Sequence, residues 1–392
     1  MPAAEISLAT ARALMLNAQG LLHPRPALAA KQDVLQTIRN LGVLQIDTIN
    51  VVARSPYLAL WSRLGEYSPA WLEECLAEGT LFEYWAHAAC FIPIEQYPYH
   101  RRMMLEQMRY HHYQAWYLEH QADTDAILSH VQQHGAVRSA DFERKDGKKG
   151  TWWDWKIEKD ALEYWLAAGE MMVVRRDKFQ RVYDLRDRVL AAWSDDAVPS
   201  LEETMRYFTL QSVRALGVCQ SGWVADYYRL PKAAAAKALR TLLADGAVSE
   251  INVESWPEPA LVSTEVKARL DADTTSLQPT LTTLLSPFDS LIWDRKRAHQ
   301  LFDYDFSIEC YLPAQKRKYG YYLLSVLHHG ALVARLDAKA HRKEGVFEVK
   351  SFYWEPGLTP SDEMRAEIRA AVQRCADWHR TPELRLPQPL SE

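Results

Sequence analysis

The chain has 392 residues, 48% of them apolar and 25% charged, with a formal net charge of −5. That is the make-up of a globular protein with room for two to four domains, and it excludes a polycation wrapped along nucleic acid, so a DNA-binding face has to be a local basic patch. Five scattered cysteines without Cys-x-x-Cys spacing exclude a disulfide framework and a cysteine zinc site, and the absence of a leader-like or membrane-length apolar run makes the cytoplasm the default expectation.

Residues 6–19 read as a helix with Ser7 at its N-cap and Gly20 as its stop. A second helix over 32–41 carries Val34, Leu35, Ile38 and Leu41 at helical spacing, with Gly42 behind it. Then comes Leu44-Gln45-Ile46-Asp47-Thr48-Ile49-Asn50. An extended segment sends Gln45 and Asp47 to one side and Leu44 and Ile46 to the other. The amide and the carboxylate can then hold one water between them; their alternative role is solvation or turn-capping. Short helices over 54–64 and 69–77 and strands over 81–85 and up to Pro93 complete a first unit, residues 1–119.

A second unit, residues 120–195, starts with a helix containing 127–134 and a turn with a short helix over 135–142. A polar Lys/Gly loop over 144–150, the aromatic cluster Trp152, Trp153 and Trp155, a helix ending at Ala168 and a hairpin of 171–175 with 180–184 follow. The tryptophans can pack this unit or present a stacking face. The third unit, 196–275, holds helices over 201–216, 222–229 and 232–244 and a strand over 247–253. Helix, turn, helix and wing recur three times, an architectural repeat without visible sequence similarity.

The pattern changes over 276–392. Alternating runs at 306–311, 319–324, 331–337 and 347–352 predict a small antiparallel sheet or barrel, closed by an amphipathic helix over 360–379 with Met364, Ile368, Val372, Cys375 and Trp378 on its buried stripe. The tail from Pro382 reads as loosely ordered. The class is therefore mainly α with β: three tandem winged-helix units and a C-terminal β-barrel-like domain.

Lys316, Arg317 and Lys318, beside Tyr319 and Tyr321, form the best basic cluster, extended by Arg295-Lys296-Arg297 and by Lys339, His341, Arg342 and Lys343. Between 295 and 350 there are eleven Lys/Arg against six acids, the footprint expected of a phosphate-gripping module in an acidic protein. Asn50, Arg54, Ser55 and Tyr57 follow the acid directly. Arg54 suits a phosphate, or an ion pair with a neighbouring acid. His87 is a DNA-contact candidate or a satisfied structural group. The pairs His111-His112 and His328-His329 have no acid or cysteine nearby in sequence and read as surface, so no metal site and no cofactor are expected.

The run from Gln45-Ile-Asp-Thr-Ile-Asn-Val-Val-Ala-Arg-Ser-Pro-Tyr to Leu58, with Leu60-Trp-Ser-Arg-Leu-Gly, resembles the signature of the bacterial YcaQ/AlkX family of winged-helix DNA glycosylases. The resemblance continues in order through Glu83-Tyr-Trp-Ala-His-Ala-Ala-Cys-Phe, Val137-Arg-Ser-Ala-Asp-Phe, Phe179-Gln-Arg-Val-Tyr-Asp-Leu and Trp223-Val-Ala-Asp-Tyr-Tyr-Arg-Leu. It ends in Leu285-Ser-Pro-Phe-Asp-Ser-Leu-Ile-Trp-Asp-Arg-Lys-Arg, Lys318-Tyr-Gly-Tyr and Asp337-Ala-Lys-Ala-His-Arg. It implies a fold shared with the streptomycete glycosylase AlkZ and a monofunctional enzyme that releases N7-alkylguanine, including crosslinked guanine, from duplex DNA and leaves an abasic site. It also implies catalysis by Gln45 and Asp47; an amide replaces the carboxylate in the streptomycete relative. A monomer is the default. The main rival is a winged-helix DNA-binding regulator without activity. A metal-dependent nuclease has less support, since no acid cluster stands at ligand spacing.

Overall fold

The first helices begin and end where capping chemistry places them. After β1 (Glu5–Ile6), Ser7 accepts a hydrogen bond from Thr10 N (3.1 Å) at the head of α1 (Leu8–Ala18). α2 (Lys31–Leu41) buries Val34, Ile38 and Leu41 and stops at Gly42, whose φ of 74° suits a residue without Cβ. β2 (Leu44–Gln45) and α3 (Ser55–Leu64) flank the Gln-Ile-Asp segment. The computed structural model describes residues 5–107, 114–142, 157–272 and 277–391. The 144–150 loop, Trp152, Trp153, Trp155, His111 and His112 lie outside them.

The chain divides into two compact units, one of Ala70–Tyr207 and one of Met1–Pro69 with Phe208–Glu392. The unit of Ala70–Tyr207 contains α4 (Ala70–Ala77), the antiparallel pair β3 (Leu81–Trp85) and β4 (Ala89–Pro93), then α5 (Tyr97–Leu105), α6 (Gln114–Glu119) and α7 (Gln121–His134). α8 (Ile157–Ala168), the hairpin of β5 (Met171–Asp177) and β6 (Gln180–Leu185), and α9 (Arg186–Val189) complete it. Among its interior groups is Glu83, whose carboxylate accepts from Arg176 Nη2 (2.7 Å) and Arg181 Nε (2.9 Å).

α10 (Leu201–Leu216) leads back into the other unit, where α11 (Ser221–Tyr227), α12 (Lys232–Ala244), β7 (Val248–Val253), β8 (Ala260–Ser263) and α13 (Thr264–Ala272) follow. β1 pairs in parallel with β7, giving a three-stranded sheet in the order β1-β7-β8. A second sheet is built from β9 (Thr282–Leu285), β10 (Leu323–His328), β11 (Ala331–His341), β12 (Val346–Trp354) and β13 (Glu383–Arg385). Its order is β13-β12-β11-β10-β9. α14 (Arg295–Phe302), α15 (Asp362–Trp378) and α16 (Gln388–Ser391) complete the chain, and α15 buries Ile368, Val372 and Cys375 as its spacing requires. The class is mixed helix and strand.

Three expectations fail here. Residues 306–311 alternate apolar and polar in sequence but form no strand, because the Glu309 carboxylate accepts from Tyr319 N (2.9 Å) and Gly320 N (3.2 Å) in place of a backbone ladder. The run at 319–324 enters the sheet only from Leu323. The tail is ordered: β13 pairs in parallel with β12, and Leu390 is fully buried. The sheet edge is thus parallel, not antiparallel throughout.

Candidate active site

Alternation in the Gln-Ile-Asp segment is observed as its sequence requires. Leu44 and Ile46 are only 2% and 9% exposed, while Gln45 and Asp47 remain half-exposed. The loop after β2 turns on Asp47 itself, whose Oδ1 accepts from Ile49 N (2.8 Å). Groups from the C-terminal half then hold it. Ala340 N donates to Val51 O (3.0 Å), Arg342 Nη2 donates to Val52 O, and the Tyr322 hydroxyl donates to Ala53 O (3.2 Å). Beyond it, α3 is anchored by Arg63, which forms a two-pronged pair with Asp289 (2.7 and 2.9 Å), both side chains buried. The segments that carry the sequence resemblance at 60–65 and 285–297 therefore meet.

Burial raises the Asp47 carboxyl above the usual carboxylate range, and hydrogen bonds from Ile49 N–H and the Tyr311 hydroxyl (3.4 Å to Oδ2) offset this only in part. Burial and the neighbouring acid push the Tyr311 hydroxyl up to about 12, so it stays protonated and donates. Burial and the same acid bring the Cys310 thiol to about 11. Both donors to Asp47 are neutral, and each carboxylate oxygen keeps a second lone pair for a water molecule.

A basic group lies on the same loop. Arg342 Nη2 donates to Asn50 Oδ1 (2.9 Å) and to His379 Nε2 (3.3 Å). Partial burial lowers the Arg342 guanidinium and the nearby Arg54 lowers it further, a like-charge juxtaposition that an anion would relieve. Burial and Arg342 bring His379 down to about 4, so it accepts the arginine proton as a neutral ring. Lys316 and Lys318 are exposed; Lys318 Nζ stands 4.7 Å from the Tyr319 ring and the Arg317 guanidinium 4.7 Å from the Tyr321 ring. Glu309 below this turn and Asp337, which accepts from Tyr321 N (3.1 Å) and Tyr322 N (3.2 Å), fix its path. A Cβ on Gly320 would lie 2.5 Å from Asp337 Cβ, so the turn needs glycine there.

A family model described as DNA glycosylase AlkZ-like matches residues 38–378. The chain belongs to the AlkZ-like DNA glycosylase family. Its fold is similar to that of the Streptomyces sahachiroi DNA glycosylase AlkZ, with a TM-score of 0.63 and 13% identity over 98% of this chain and 100% of that one. Membership makes this AlkZ-like chain a DNA glycosylase, a hydrolase of N-glycosyl bonds, and sets aside the regulator reading. No helix among the described residues is long and apolar enough to cross a membrane.

Not every residue singled out in this glycosylase's sequence reaches the site. Ser55 is 1% exposed and its hydroxyl bonds to that of Ser286 (3.1 Å); Tyr57 is 9% exposed and its carbonyl accepts from the Tyr67 hydroxyl. These two brace α3 and offer no surface to DNA. His87 is a separate case: it lies in the turn between β3 and β4 of the unit of Ala70–Tyr207, with Nδ1 4.0 Å from Cys90 Sγ. Arg297 is fully buried and Arg335 is paired with Glu355 (2.7 Å), so both leave the basic patch for the interior. His328 is largely buried, which corrects its reading as a surface group, while His329 is exposed as expected; Glu367 of α15 adjoins both. Tyr311 and His379 were missed, since neither has a neighbour in sequence to mark it. A half-open cavity of about 630 Å³ between α3, β9 and α15 has no residue of 43–57 in its lining.

Proposed function

We propose that Gln45 and Asp47 hydrolyse the N-glycosidic bond of N7-alkylated guanine in duplex DNA, crosslinked guanine included, and leave an abasic site. The alkyl group puts a positive charge on the base, so it departs with the bonding electron pair and little protonation. What remains is to stabilise the oxocarbenium-like sugar and deliver water. Asp47 serves both ends: its charge faces the developing cation, and it takes the proton from the water whose oxygen bonds to C1′. Gln45 orients that water without titrating. Tyr311 and the Ile49 N–H hold the carboxylate in place. Asn50, Arg54 and Arg342 grip the backbone near the lesion, and Lys316, Arg317 and Lys318 grip it further along.

The observation that carries this reading is a half-buried acid with a raised pKa, held by neutral donors on a loop whose Asn50 and Val52 bind Arg342. The acid's partial exposure suits a base tied to the opposite strand, which cannot swing into a deep pocket. In the finer architecture we propose, residues 1–119, 120–195 and 196–275 are winged-helix units and 276–392 a β-barrel-like module. The protein acts as a monomer without a catalytic metal.

The test is incubation with duplex DNA carrying N7-methylguanine or a mustard crosslink. Base release followed by alkali-dependent strand cleavage is expected, unaffected by EDTA, with Gln45→Ala about tenfold slower. Undiminished release by both Gln45→Ala and Asp47→Asn would refute the assignment.

A further inference from the structure

On the wall of the 630 Å³ cavity lies chemistry that base release does not use. β10 and β11 are joined through His329-Gly330, with φ of 44° and 88°, the both-positive pattern of a tight hairpin turn. Histidine is uncommon in that region of backbone space, though better tolerated there than most side chains. The turn stacks the His328 and His329 rings with centroids 4.0 Å apart. Glu367 reaches them from α15. Its Oε2 lies 3.0 Å from His329 Nε2 and 3.5 Å from His328 Nδ1, and the three ligand atoms all fall within 4.8 Å of one another.

In a tetrahedral zinc site with bonds of about 2.1 Å, ligand atoms stand roughly 3.4 Å apart. We propose that His328, His329 and Glu367 form a divalent-cation site, two imidazoles and one carboxylate, that takes Zn²⁺. His329 is 42% exposed at its side chain, which gives an entry path from the cavity and leaves a fourth position for water. Thr282 supports the set from β9: its hydroxyl donates to Glu367 Oε2 (2.8 Å) and lies 2.9 Å from His328 Nδ1. Arg374, a positive charge that acts on Glu367, has its guanidinium directed to Thr282 O (3.0 Å).

The ion would staple α15 to the end of the β10–β11 hairpin. From Glu367 to His379, which contacts Arg342, α15 advances about 18 Å. The site is therefore a structural clamp and takes no part in the reaction.

Full-length protein dialysed against chelator and titrated with Zn²⁺ by calorimetry tests this, with Co²⁺ absorption as a second readout. Wild type should bind one ion that His329→Asn and Glu367→Gln each weaken roughly 100-fold or more. Asparagine keeps the left-handed turn. Zn²⁺ should raise the wild-type Tm and leave the Tm of both variants unchanged, while base release by all three proteins stays the same. Equal Zn²⁺ affinity in wild type and both variants, absence of binding included, overturns the site. The Asp47→Asn assay is independent of either result.

Discussion

Asp47 and Glu83 are both carboxylates withdrawn from water, and the protein treats them in opposite ways. Burial pushes Glu83 up, but Arg181 and Arg176 more than reverse this, and the group stays below the usual range. Burial pushes Asp47 up as well, and there only a backbone N–H and a phenol answer it. An acid that fastens structure is neutralised by guanidinium. An acid held only by neutral donors keeps a raised pKa, as the proton-accepting role proposed for Asp47 requires. Arg342, which contacts the Asp47 loop, goes instead to Asn50 and Val52 O and stands close to Arg54.

The sharpest break of this contrast is Asp47→Asn. Base release is expected to fall about 10³-fold in single-turnover assays. Because folding raises the Asp47 pKa, its charge is a cost to the folded state at neutral pH, and the variant should melt no lower than wild type. The converse variant, Glu83→Gln, leaves Arg176 without its buried counter-charge and Arg181 with Glu163 alone. It should lose roughly 3–5 kcal/mol in chemical denaturation, with activity tracking the folded fraction.

Smaller effects sharpen the comparison. On the proposed mechanism activity needs the Asp47 carboxylate, so its acid limb should lie above the ordinary carboxylate pKa of about 4. Tyr311→Phe removes a donor that lowers that pKa, so the limb should move further up, with a loss of about tenfold or less at its plateau. A limb that moves down would contradict the assigned bond. Smallest is the response of Lys316→Ala and Lys318→Ala, each expected to reduce the salt slope of DNA binding by about one and leave single-turnover release unchanged at saturation.

Much of the local structure was legible beforehand. Ser7, Gly20 and Gly42 marked helix ends, helical spacing bounded α10 and α12, and period-two alternation placed Leu44 and Ile46 inside and Gln45 and Asp47 at the surface. What escaped was whatever depends on a distant partner. The 306–311 run has a strand's alternation but meets a turn instead of a ladder. Ser55 and Arg335 are polar in sequence and interior in the fold, because Ser286 and Glu355 satisfy them there.

By itself the sequence determined helix ends, side-chain alternation and an amide and acid on one side of an extended segment, since backbone geometry acts over a few residues. Only the tertiary structure decided that Tyr311 would brace Asp47, that Arg342 would stand beside Arg54, and that Glu367 would meet the paired histidines. Hydrogen bonding and charge act across space, between groups that chain order leaves tens to hundreds of positions apart.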